Sequence, residues 1–196
     1  MSAGMPQAYS SLYWFSRVAS ISRATQHLYK IIVRFGASLP SRSLMARHAS
    51  LSGAWQGRES GLPYKTSYEA LIMASIIEKE TGKASERPMI AGVFVNRMRI
   101  GMRLQTDPTV IYGMGVRFDG NIRKKDLSLD TPYNTYTRGG LPPTPIAMPG
   151  LAAIDAALHP AKTKALYFVG KGDGSHEFSN SLIDHNRAVV RYQLKK

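Results

Sequence analysis

The stretch Tyr68 to Gly82, YEALIMASIIEKETG, sets a carboxylate where a helix should bury only apolar groups. At about 100° per residue Ile72, Met73, Ile76 and Ile77 form one stripe, Glu80 projects into the middle of it, and Glu78 points to nearly the opposite side. Desolvation on such a stripe favours the neutral carboxyl and raises its pKa, as a general acid working near neutral pH requires. Glu80 is therefore the candidate catalytic residue. The competing reading puts Glu80 past the helix end, turned out to solvent by Thr81-Gly82, since Gly is common just beyond a helix C-terminus.

Outward from this segment, Thr66 or Ser67 is the expected N-cap, and 86–98 (ERPMIAGVFVNRM) carries Met89, Ile90, Val93, Phe94 and Met98 at helical spacing behind Pro88. Gln105 to Gly115 predicts a short helix opened by Asp107-Pro108 as N-cap and first helical residue. Residues 133–150, rich in Pro and Gly, predict an ordered loop, and Leu151 to Leu158 a helix ended before Pro160. Ala165 to Gly170 and His176 to Ser179 predict a hairpin around a turn at Lys171 to Gly174, and Leu182 to Leu194 a final helix. The class is α+β, without βαβ alternation.

Residues 1–60 differ in composition, with 12 Ser, seven Lys/Arg and one acid, Glu59, against 19 basic and 12 acidic residues in 61–196. The expected division is a basic Ser/Arg-rich leader over 1–50, disordered or non-native, and a folded unit over 54–196. The net charge of +13 favours a polyanionic partner or surface. The scattered basic residues and the lack of any recognisable nucleic-acid motif leave an acidic cell-wall polymer or a membrane surface as alternatives. Zero cysteines exclude thiol catalysis, disulfides and Cys-ligated zinc. No apolar run reaches the ~18 residues of a transmembrane helix.

A two-carboxylate glycosidase needs a second acid across the scissile bond. Asp107, Asp119, Asp126 and Asp130 are the candidates; Asp107 reads as a helix cap, and the others lie in polar, turn-like surroundings. His159, His176, Glu177 and His185 match no usual metal spacing, so neither metal nor cofactor is expected. Tyr133, Asn134, Thr135 and Tyr136, followed by Gly139 to Pro143, mix aromatic faces with amide and hydroxyl groups on a stiff frame. That composition suits a sugar site and equally a structural loop whose tyrosines close the core. Lys79, Arg97, Arg99 and Arg103 read as a solvated basic face or as contacts for a polymer's carboxylates.

Taken together, ASIIEKETG (74–82), FVNRMRIGMRLQTDPTVIYG (94–113), YNTYTRGGLPPTPIAMPG (133–150), HPAKTKALYFVG (159–170) and HEFSNSLIDHN (176–186) resemble the YceG-like endolytic murein transglycosylases, the MltG family, over about 54–196. The resemblance implies a catalytic domain in which a lysozyme-like helical element carries the catalytic Glu, accompanied by a small β hairpin and a C-terminal helix. It also implies cleavage of the β-1,4 bond between N-acetylmuramic acid and N-acetylglucosamine in nascent peptidoglycan strands, leaving 1,6-anhydro ends. The family's catalytic Glu lies in its E-K-E-T segment, in agreement with the helical-face choice of Glu80. Asn96, Gln105, Tyr133, Asn134 and Tyr136 are the candidates for holding the glycan. The family implies an inner-membrane enzyme facing the periplasm, with the cell-wall synthesis machinery as partner and no nucleic acid; residues 1–50 resemble neither its transmembrane helix nor its LysM-like domain.

Two positions depart from the family's LPPGPIANPG: Thr144 stands in place of Gly, which raises a question of backbone angles, and Met148 in place of Asn, which removes a hydrogen-bonding amide that could contact sugar. The rival expectation from another functional class is a truncated, non-catalytic basic module that binds glycan or nucleic acid.

Overall fold

The computed structural model describes residues 53–194; the leader assigned to 1–50 lies outside them. Helix α1 (Ser67–Glu80) starts where Thr66 Oγ1 accepts from the Glu69 amide, while Glu69 Oε2 accepts from the Lys65 amide at 2.6 Å. The first contact satisfies a donor that the first turn would otherwise strand, and the second ties Glu69 to the residue ahead of the cap. Every residue from Ala70 to Ile77 is buried. The helix is therefore enclosed on all sides, and the stripe inferred from spacing is one part of a surface that the helices at Arg87–Arg99, Asp107–Met114 and Leu151–Leu158 jointly cover.

Helix α2 (Arg87–Arg99) follows a 3-10 turn at Ala84–Glu86 and has Pro88 in its first turn, where a missing N–H does no harm. Its Ile90, Phe94 and Val95 join Leu71, Met73, Ile76 and Ile77 of α1 in the main core, which Ile154 and Leu158 of α5 (Leu151–Leu158) complete. Each fully buried aliphatic side chain contributes about 1.5–3 kcal/mol relative to exposure. Gly92 lets α2 press on the segment before the hairpin: a Cβ there would lie 2.5 Å from the Ala161 carbonyl oxygen and 2.8 Å from Thr163 Cγ2.

Helix α3 (Asp107–Met114) ends at Gly115, whose φ of +56° turns the chain away. The N-cap is Thr106, one residue earlier than the Asp-Pro signal indicated, and Asp107 occupies the first helical position. The sequence reading gave no helix at Lys124–Ser128, where five residues (α4) bury Leu127 against Val110, Ile111 and Ile122. One apolar residue in a single turn is too little for periodicity to register.

The hairpin pairs β1 (Tyr167–Gly170) with β2 (His176–Ser179) antiparallel, Tyr167 opposite Ser179 and Gly170 opposite His176. Phe168 meets Phe94 edge-to-face at 5.8 Å between centroids, which fastens the sheet to α2. Helix α6 (Leu182–Val189), capped by Ser181 accepting from the Asp184 amide, ends five residues before the expected helix does, in a π-helical turn at Val190–Leu194. Helices with one small antiparallel sheet make this an α+β unit. Among the described residues no helix is long and apolar enough to cross a membrane.

Candidate active site

Glu80 is the last residue of α1 and is only partly exposed. After it the chain bends into extended backbone at Thr81 (φ −141°), which is itself buried, and Gly82 does not adopt the left-handed conformation of a glycine cap. The solvent-turned alternative does not occur. Glu80 Oε1 instead accepts a hydrogen bond from the Thr106 hydroxyl. Burial pushes the Glu80 carboxyl up to about 7; the Thr106 hydrogen bond and the Arg97 charge pull it down, and the Asp107 charge pushes it further up. A carboxyl that titrates near neutrality can give a proton and take one back in a single reaction.

Glu78 has a different task. Its Oε1 lies 3.3 Å from Arg87 Nη2, and its Oε2 accepts from the Gly150 amide at 2.9 Å, just ahead of α5. It binds the end of α1 to the starts of α2 and α5.

The floor beside Glu80 is built by Arg97 and by the segment before α3. Arg97 is buried, with Nε donating to the Leu166 carbonyl at 2.6 Å and Nη1 to the Leu104 carbonyl at 2.7 Å, and burial lowers its pKa. It is no part of a solvated basic face. Arg99 and Arg103 donate to the carbonyls of Gly61 and Tyr136, and burial lowers the pKa of Lys79. Gln105, at φ +50°, is the one non-glycine residue with positive φ among those described, and it turns the chain so that Thr106 faces α1. Such backbone costs on the order of 1–3 kcal/mol and persists where surrounding contacts over-determine it.

Of the four aspartates considered, Asp107 is the one that acts electrostatically on Glu80. It is buried, and its Oδ1 accepts from the Tyr136 hydroxyl at 2.6 Å, so it is not a simple helix cap. Asp119 pairs with Arg123, Asp126 accepts from the Arg123 amide at the start of α4, and Arg138 holds the Asp130 carboxyl down to about 2.

The aromatic loop reaches the same region through Tyr136 and Thr135; Thr135 hydrogen-bonds the Thr106 amide and the Thr109 hydroxyl. Tyr133 packs on Tyr112 at 4.7 Å between centroids and shares a hydrogen bond with Thr144 Oγ1. Asn134 is buried, its Nδ2 donating to the carbonyls of Leu127 and Leu129 and its Oδ1 accepting from the Tyr136 amide. Asn96 donates to the carbonyls of Thr163 and Ala165, tying α2 to the approach of β1. The structure thus gathers Glu80, Gln105 and Tyr136 around the start of α3, packs Tyr133 at a tilt against Tyr112 of that helix, and uses the amides of Asn96 and Asn134 as internal ties. The histidines are dispersed: His159 meets Asp155, His176 meets Glu86 at 2.7 Å, and His185 stacks on Tyr167.

A family model described as the YceG-like family matches residues 14–191. The chain belongs to the YceG-like family. Among curated YceG-like relatives, an endolytic murein transglycosylase of Bacillus subtilis is 47% identical over 129 residues, which cover 66% of this chain and 36% of the relative. One of Streptococcus pneumoniae is 36% identical over 136 residues, covering 67% and 25%. The chain therefore spans about a quarter to a third of the length of these relatives. A crystal structure of a YceG-like protein from Listeria monocytogenes superimposes with a TM-score of 0.61 at 40% identity, covering 73% of this chain and 44% of that one. Within this YceG-like fold Thr144 keeps φ out of the positive region and spends its hydroxyl on Tyr133, so replacing the family's Gly introduces no strain there. Met148 is half-exposed.

Thr106, Asp107 and Arg97 are the parts of the site that sequence reasoning missed or misplaced. The Asp-Pro pair drew attention to capping, and Thr106 between Gln105 and Asp107 carries no signal of its own. Arg97 is indistinguishable in sequence from its exposed neighbours.

Proposed function

We propose that this chain is the catalytic part of an endolytic peptidoglycan lytic transglycosylase, cleaving the β-1,4 bond between N-acetylmuramic acid and N-acetylglucosamine. The observation that carries the reading is Glu80, a partly buried carboxyl raised to about 7 and held by the Thr106 hydroxyl, in a YceG-like fold whose curated relatives are named endolytic murein transglycosylases.

Protonated Glu80 gives its proton to the glycosidic oxygen as the bond from that oxygen to muramoyl C1 breaks. The resulting Glu80 carboxylate removes the proton from the muramoyl 6-hydroxyl, whose oxygen bonds to C1 and closes the 1,6-anhydro ring. The departing glucosamine keeps the first proton, Glu80 recovers the second, and no water enters. Because the nucleophile belongs to the substrate, no second carboxylate has to activate water. Gln105, Tyr133 and Tyr136 supply the polar and aromatic contacts to the glycan; Asn96 and Asn134 hold the elements that present them. The setting implied by the family is the periplasmic face of the inner membrane, alongside the cell-wall synthesis machinery.

The test is digestion of purified peptidoglycan by the full chain, followed by mass spectrometry. Anhydromuramoyl ends formed by the wild type and absent with E80Q support the reading. Reducing ends, or cleavage that survives E80Q, would overturn it.

A further inference from the structure

Thr106 sits at the N-cap of α3 without capping it. A threonine there ordinarily accepts from an amide of the first turn, a contact worth about 1 kcal/mol. Here the Thr109 amide goes to the Thr106 backbone carbonyl, and the hydroxyl is directed across to Glu80 Oε1. Its aim is fixed from several sides. The Thr106 amide donates to Thr135 Oγ1 at 3.1 Å, the Thr109 hydroxyl donates to the Thr106 carbonyl at 2.7 Å, and Thr109 and Thr135 share a hydrogen bond at 2.8 Å. Gln105 enters this cluster in left-handed backbone, and Arg97 holds the preceding carbonyl of Leu104.

A neutral carboxyl has one oxygen that carries the proton and one free to accept. Because the carbonyl oxygen is the stronger acceptor of the two, a Thr106 hydroxyl donating to Oε1 favours the carbonyl form there and leaves Oε2 for the proton. We propose that Thr106 is a positioning residue that orients the Glu80 carboxyl with Oε2 as the proton-bearing oxygen. The catalytic consequence rests on the transglycosylase reading; the orientation does not.

Thr106 and Asp107 act on Glu80 in opposite directions. A hydroxyl donating to the carboxylate stabilises the charged form, whereas the Asp107 carboxylate disfavours it. The other charged group acting on Glu80 is Arg97 from α2, with His185 of α6 beyond it; on α1 itself Lys79 adjoins Glu78, which is turned toward Arg87.

The experiment follows the Glu80 carboxyl directly by carbon-13 NMR of the full chain, labelled at glutamate, with E80Q assigning the resonance. T106V, which keeps the shape and loses the hydroxyl, should raise the titration midpoint, T106S should restore it, and D107N should lower it, each change at least about 0.5 in pH. In glycan cleavage, T106V should reduce kcat about tenfold or more with little change in KM, and T106S should recover most of it. A midpoint unmoved in T106V overturns the proposal even if cleavage persists. Midpoints that move as stated in a protein that cleaves nothing uphold the orientation and refute the transglycosylase reading. Should T106V fail to fold, T106A decides: a raised midpoint supports the proposal, and no change or a fall overturns it.

Discussion

At the scale of single residues, Glu80 and Glu78 lie two positions apart on one helix and meet opposite surroundings. Glu80→Gln should reduce glycan cleavage on the order of 10²-fold or more while the fold persists, because the amide oxygen still accepts from Thr106 but no proton can be transferred. Wild-type cleavage should fall as pH rises through about 7, where Glu80 loses the proton the first step needs. The same titration governs stability. Folding raises the Glu80 pKa from 4.5 to about 7, so its contribution is fully present below about 4.5 and is lost as pH rises through about 7. E80Q should therefore melt several degrees above the wild type at pH 8 and close to it at pH 4, as calorimetry at both pH values would reveal. A melting difference independent of pH would mean that Glu80 is not desolvated.

At the scale of elements, α1 is held from both ends and around its whole circumference. Ser75, buried within it, accepts from the Ile146 amide, and Glu78 accepts from the Gly150 amide, so the proline-rich loop is clamped to α1 at two points. Glu78→Ala should lower stability by about 1–2 kcal/mol, since it removes the ion pair to Arg87 and the acceptor for Gly150, with far less effect on cleavage than E80Q. Denaturant melts with rate measurements on the folded protein separate the two effects. Gly92→Ala should cost about 1–3 kcal/mol, because the new methyl would collide with the Ala161 carbonyl, a backbone atom unable to swing away. An unchanged melting temperature for G92A would show that α2 does not dock on 161–163 as described.

At the scale of the whole molecule, the net charge of +13 and the proposed glycan site make separate demands on a partner. Cleavage should release 1,6-anhydro ends and no new reducing ends, and chitin oligomers, which lack the lactyl ether and peptide of muramic acid, should be poor substrates. Reducing ends would instead make Asp107, buried and acting on Glu80, the first candidate for positioning water. Glycan binding should weaken only mildly between about 50 and 200 mM salt, whereas binding through phosphate neutralisation would fall steeply, by about 10³-fold or more for six or more contacts. A steep fall would favour the basic binding module over the enzyme.

The succession of helices apart from α4, the hairpin and the start of the final helix were legible in the sequence, because periodicity, Pro and Gly placement, and caps are local in the chain. The meeting of Glu80 with Thr106, 26 residues away, and the assignment of Asn96 to carbonyls 67 and 69 residues away were decided only by the tertiary structure. The same holds for Arg97, which looks like its exposed neighbours until α2 turns it inward onto the carbonyls of Leu104 and Leu166. An amide, a hydroxyl or a guanidinium has the same local signature whether it faces substrate or a backbone carbonyl. Its role depends on which distant groups the packed core brings within hydrogen-bonding range, and on how much water that packing removes.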